Sequence, residues 1–240
     1  MNQFIHGLQY LFDGFELISK PGLRRFVLIP LLVNIILFFL LFLTLRHYVG
    51  EFNYWFENQL PAWLTWLGIL IWFVFFLGFF LIFIYTFATL ANVIAAPFNS
   101  LLSEKVAMFL TKKAIEERSL IENVKDVPRT IYRQLAIIGY FLPRAILLLV
   151  LFFIPLIHVF AGLCWFLFSA WLMTLTYVDY PTDNQRIALY NVRMWMRKNR
   201  ALSFGFGIAV LIATMIPIVN FFVMPAAVAA ATKLWIENGD

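Results

Sequence analysis

Six consecutive residues, Lys20, Pro21, Gly22, Leu23, Arg24 and Arg25, bring three cations to the start of a long apolar segment. Pro21 suits the first turn of a helix, and Gly22 lets backbone approach a ligand closely. The first N–H groups of a helix lack internal partners, and its dipole favours negative charge. A tetrahedral oxyanion is therefore the ligand this segment can hold, with Arg24 and Arg25 adding charge-assisted hydrogen bonds. A basic pair at the edge of an apolar segment is also a common membrane anchor. Spacing alone leaves both roles open.

Other chemistry is poorly supplied. No GxxxxGK[ST] loop, HExxH pair or GxSxG elbow occurs, so neither ATP hydrolysis nor an intramembrane enzyme is expected. The single cysteine, Cys164, lies in an apolar run and is expected to be a small packing residue. No metal site and no cofactor are expected. Every Asp and Glu lies outside the long apolar runs, so no embedded carboxylate marks a proton path.

The elements that position these residues follow from composition and length. Of 240 residues, 63% are apolar, 19% aromatic and only 13% charged, and phenylalanine alone occurs 28 times. A soluble domain carries about 25% charged residues. Residues Ala62 to Phe98 and Ala145 to Val178 contain no Lys, Arg, Asp or Glu, and a membrane span needs about 20 apolar residues. The net charge of +5 does not point to nucleic acid, because the basic residues flank apolar segments and form no soluble basic domain. Anionic lipid or a small anion is the fitting partner.

The expected fold is an all-α integral membrane protein forming a single membrane domain. Residues 1–20 form an amphipathic helix, with Phe4, Ile5, Leu8, Leu11, Phe12, Phe15 and Ile18 at helical spacing, lying in the membrane surface. Two long transmembrane helices follow, at 26–45 and 62–102. Basic residues precede the first span and recur in 103–144 and 179–200, whereas the intervening loop holds Glu51 and Glu57. The positive-inside rule then places both termini in the cytoplasm. Segment 103–144 is read as cytoplasmic and helical, and 179–200 as a basic helix with Arg186, Arg193, Arg197 and Arg200 on one side. These arginines, with the Arg129 and Arg133 pair, either rest on anionic head groups or form a funnel for an anion.

Both basic segments want the same side, so the apolar run 145–178 must enter and leave by one face. Two complete crossings need about 40 residues plus a turn, and this run is shorter. A re-entrant, half-inserted hairpin with its tip near Pro155 and His158 is the expectation. Residues 201–236 repeat the pattern, with Pro217 and Pro225 near the tip. Asn220 there either caps a broken helix or lines a polar pore, and His158 poses the same choice. Two tips at hydrocarbon depth must be covered by protein or face water, which implies a homo-oligomer.

The run PGLRRFVLIPLLVN from Pro21, APFNSLLSEKV from Ala96 and PIVNFFVMPAAVAAATKLW from Pro217 together resemble the CysZ family of sulfate transporters over nearly the whole chain. The resemblance implies sulfate uptake across the bacterial inner membrane, feeding cysteine synthesis, with sulfite and related oxyanions as chemical neighbours. It also implies an anion site at a Gly-Leu-Arg element, here Gly22, Leu23, Arg24 and Arg25, together with oligomers and half-inserted hairpins. Asn99, Ser100 and Glu104 fall within the second matching run. Asn99 or Ser100 can cap a helix after Pro97, and Glu104 can pair with an arginine or act in a gate. The pathway is expected to be channel-like or ion-coupled. The competing function is a membrane-organising structural protein with surface-bound anionic lipid.

Overall fold

The computed structural model describes residues 2–59, 65–112, 120–155 and 158–239. The expected start of the second span at Ala62, and Lys113 and Arg118 of the basic segment, lie outside the described residues. Every regular element among the described residues is helical. In order they are α1 (Gln3–Ser19), α2 (Arg25–Gln59), α3 (Thr65–Thr111), α4 (Leu120–Leu151), α5 (His158–Asn184), α6 (Leu189–Lys198), α7 (Arg200–Thr214) and α8 (Pro217–Asn238). Four segments are long and apolar enough to cross a membrane: Arg25–Glu51, Tyr132–Leu151, His158–Asn184 and Pro217–Asn238. The chain is a multi-pass membrane protein.

Two compact units divide it. One comprises Leu28–Phe98, the other Met1–Val27 with Asn99–Asp240. In the first, α2 exposes Leu32, Ile35, Phe39 and Leu40 around its surface, a pattern that water would penalise and hydrocarbon accepts. Phe38 of α2 meets Phe83 of α3 edge-on at 6.2 Å. On α3, Trp72, Phe76 and Phe80 follow one another at four-residue spacing.

In the second unit, α1 packs against α7 and α8. Its buried stripe is Gly7, Tyr10, Leu11, Gly14, Leu17 and Ile18. Gly7 faces the backbone of Leu202 and Phe206, and Gly14 faces the Ala226 carbonyl, so a methyl group at either position would collide with main chain. Small residues let helices approach this closely. On α8, Ala226, Ala227 and Ala229 to Ala231 are fully buried. The amphipathic helix expected in the membrane surface is present, but protein covers the face it buries. Ile5 and Phe12, seven residues apart, remain exposed on the other side.

The two hairpins differ in length. α4 and α5 contain Tyr132–Leu151 and His158–Asn184, each with the length and composition of a crossing helix, whereas the hairpin expectation counted only the charge-free run from Ala145. That run stops at Arg144, whereas α4 extends on its other side back to Leu120, carrying Arg129 and Arg133, whose partners are described below. By contrast α7, at 15 residues, is about 22 Å long, short of a hydrocarbon core of about 30 Å. Met215 and Ile216 turn the chain into Pro217, the first residue of α8.

The basic segment is not one helix. α5 runs on to Asn184, Arg186 adopts a left-handed φ of 58° in the following turn, and Asn199 separates α6 from α7. Only Arg193 and Arg197 therefore share α6. Its other face, Val192, Trp195 and Met196, is buried, with Trp195 edge-on to Trp235 of α8 at 5.2 Å.

Candidate anion-binding site

The turn between α1 and α2 is built from its own backbone. Lys20 closes α1, its N–H donating to the Leu17 carbonyl (3.1 Å). The Lys20 carbonyl then accepts from the N–H groups of Leu23 (3.1 Å) and Arg24 (3.3 Å). Gly22 sits at φ +93°, a conformation L side chains rarely adopt, and nothing lies within 4 Å of where its Cβ would be. The space in front of this glycine is open.

Around it the side chains divide by role. Leu23 and Val27 are buried in one core cluster with Leu102 and Val106 of α3, so Leu23 anchors the turn and does not face a ligand. Arg24 and Arg25 are exposed. Arg25 lies over the Phe26 ring at 5.0 Å, and neither arginine has an ion pair among the described residues. Lys20 pairs with Glu16 (3.1 Å) and lies 5.5 Å over Phe109 of α3. Among the described residues the N–H groups of Gly22 and Arg25 donate to no other group. The turn thus offers free amides and two free guanidiniums, the donor set an oxyanion needs.

The α3 residues expected near this chemistry act elsewhere. Helix α3 continues through Pro97, so Asn99 and Ser100 cap nothing. Asn99 is buried and its Nδ2 donates to the Tyr180 hydroxyl (3.5 Å). Ser100 donates to Asn184 Oδ1 (2.8 Å), and Asn184 Nδ2 returns a bond to the Ser100 carbonyl (3.0 Å). The hydroxyls of Ser103 and Thr232 share a hydrogen bond at 2.9 Å. These bonds fasten the end of α3 to α5 and α8, and Glu104 is half-buried on the same segment. Asn220 is exposed in the second turn of α8, and no side chain caps that helix. The structure brings Leu23 into the core of the α3 end but leaves Asn220 apart.

Two groupings escaped the sequence reading. Arg129 and Arg133 of α4 neither rest on head groups nor form a funnel; they clasp Asp179 and Asp183 of α5. Arg129 pairs with Asp183 through both carboxylate oxygens. Arg133 donates to Asp179 Oδ1 (2.8 Å), the Thr182 hydroxyl (3.0 Å) and the Ile187 carbonyl (2.5 Å), and its side chain is only 10% exposed. The signal was present: two arginines four apart and two aspartates four apart. At the other end, Tyr10 donates to Glu237 (2.6 Å) and accepts from Asn238 (2.9 Å), while Lys233 pairs with Asp13 (2.7 Å). Burial, and then the bond to Glu237, push the Tyr10 hydroxyl well above its ordinary pKa, so it stays a donor. Cys164, expected to pack, is exposed on the surface of this chain. Among the described residues no cluster of three His, Cys, Asp or Glu side chains could hold a metal.

Known proteins align with this chain almost end to end. Residues 10–225 match the family described as Sulfate transporter CysZ/Etoposide-induced protein 2.4. A protein of Pectobacterium atrosepticum named Sulfate transporter CysZ is 42% identical over 97% of this chain and 85% of its own length. Proteins of the same name from Salmonella paratyphi A and Pseudomonas aeruginosa are each 41% identical, over 96% and 98% of this chain and 92% and 97% of their own lengths.

Proposed function

The chain belongs to the Sulfate transporter CysZ/Etoposide-induced protein 2.4 family, and from that premise we propose that it carries sulfate across the bacterial inner membrane for assimilation into cysteine. The observation that carries the reading is the turn at Gly22: open space before a positive-φ glycine, flanked by two arginines with no acidic partner among the described residues. Sulfate is strongly hydrated, and its water must be replaced by donors before it enters a low-dielectric layer. Gly22 and Arg25 amides with the Arg24 and Arg25 guanidiniums supply that replacement at the membrane edge, and Leu23 holds the turn in register.

The turn is a site of entry or release, and the pathway itself is channel-like or ion-coupled. Glu104, Asn99 and Asn220 are assigned to gating or support of that pathway, with Asn99 acting through its bond to Tyr180. The long apolar faces of α2 and the short α7 support a homo-oligomer that encloses the pathway, with α7 and α8 as a half-inserted hairpin and both termini cytoplasmic. Substrate crosses without covalent change, so the protein is not an enzyme.

The test is sulfate flux into liposomes, comparing wild type with the Arg24→Ala, Arg25→Ala double variant at matched reconstitution. Each charge-assisted hydrogen bond contributes about 1.5–3 kcal/mol, so the variant should lose at least ~10-fold in flux at limiting sulfate. Wild-type flux no greater than that of empty liposomes would overturn the transport reading and favour a membrane-organising role. Undiminished flux in the variant would overturn the site alone.

A further inference from the structure

Away from the turn at Gly22, a second pair of arginines shares one aromatic ring. Tyr140 and Arg144 stand one turn apart on α4. The Arg144 guanidinium lies 3.9 Å from the Tyr140 ring centroid, and its Nη1 donates to the Tyr140 carbonyl (2.6 Å). Arg193, from α6, lies 5.1 Å from the same centroid. The two cations are therefore no further apart than the sum of those distances, about one Debye length at physiological ionic strength. Neither has an ion pair among the described residues. Arg193 Nε is also buried without a hydrogen-bond partner.

Arg129 and Arg133, on the same α4, show how this chain neutralises an arginine with its own carboxylates. Arg144 and Arg193 are given none. Two like charges with an unmet buried donor are unfavourable by themselves, and an anion from outside the chain would balance them. The surroundings select which kind. One turn beyond Arg144, Leu147 is 63% exposed, and on α6 the exposed Tyr190 and Met194 share a face with Arg193 and Arg197. Exposed apolar and aromatic groups interleaved with cations suit the membrane–water boundary.

We propose that Arg144 and Arg193 hold the phosphate of an anionic phospholipid, with the Tyr140 ring spacing the two guanidiniums and Leu147 lying along an acyl chain. The ligand chemistry, a tetrahedral oxyanion, is shared with free sulfate. The apolar neighbours assign the site to lipid.

Native mass spectrometry of the full chain, released from detergent micelles doped with phosphatidylglycerol or phosphatidylcholine, tests this. Wild type should retain phosphatidylglycerol over phosphatidylcholine, and Arg144→Gln or Arg193→Gln should lower that retention by about 10-fold, the loss of one charge-assisted contact. The Arg24→Ala, Arg25→Ala variant should retain the lipid as wild type does, which separates this site from the turn. Arg144 is exposed, so its variant decides the matter if Arg193→Gln unfolds. Equal retention of both lipids, or phosphatidylglycerol retention unchanged in Arg144→Gln, would overturn the site. Displacement of the lipid by excess sulfate, or loss of sulfate binding in Arg144→Gln with lipid retention intact, would overturn the lipid assignment.

Discussion

Two arginine pairs on this chain have opposite fates. Arg24 and Arg25 are exposed beside an open turn, whereas Arg129 and Arg133 are bound to Asp179 and Asp183 between two helices. Residue type is identical, and both pairs adjoin long apolar helical segments. What separates them is the position of carboxylates 46 to 54 residues away in sequence. A neutralised pair closes a hairpin; an unneutralised pair is available to a ligand.

The largest effect that would sharpen this contrast is Arg133→Ala. Removing one partner of a buried ion pair leaves an uncompensated charge and costs about 3–5 kcal/mol, so the unfolding temperature in detergent should fall steeply. Exchanging the charges, Arg133→Asp with Asp179→Arg, should recover part of the loss; if it recovers nothing, the clasp is not the reason. Next comes Arg24→Ala with Arg25→Ala, which should leave the unfolding temperature without sulfate nearly unchanged but abolish stabilisation by added sulfate, about 1.5–3 kcal/mol per lost charge-assisted bond at saturation. An equal fall in both variants without sulfate would erase the distinction between the regions.

A smaller effect is expected for Gly22→Ala. The open space admits a methyl group, but φ +93° charges an L residue about 1–2 kcal/mol, so sulfate binding should weaken while the core holds. Unchanged binding would show that the turn's conformation is not part of the site. Smallest is Tyr10→Phe, which removes one hydroxyl from Glu237 and Asn238 and should lower stability by about 1 kcal/mol, read as a shift in thermal unfolding with sulfate stabilisation preserved.

Local features were the legible ones. Lys20 to Arg25 form a contiguous run whose donors and conformation follow from neighbouring residues, and the apolar lengths announced the helices. Non-local pairings were hidden. A charge count treats Arg144 as the end of an apolar run and Arg133 as cytoplasmic, yet α4 carries both in one helix because aspartates on α5 and the Tyr140 ring receive them. Likewise the periodicity of α1 marks a helix but cannot name what covers it. Gly7 and Gly14, one heptad apart, acquire meaning only beside Leu202 and Ala226. Asn99 and Ser100 looked like caps from the preceding proline, and became cross-helix fasteners once α5 was placed beside them.

The union of α1 with α8 also sets an order of events during synthesis. Tyr10 and Glu237 are 227 residues apart, so α1 waits for α7 to cover Gly7 and for α8 to cover Gly14, closures of very high sequence separation. Until then α1 keeps an uncovered apolar face, which suits the bilayer surface. A nascent chain arrested before α7 should therefore hold α1 at the bilayer surface, and release of α7 and α8 should draw it into the protein.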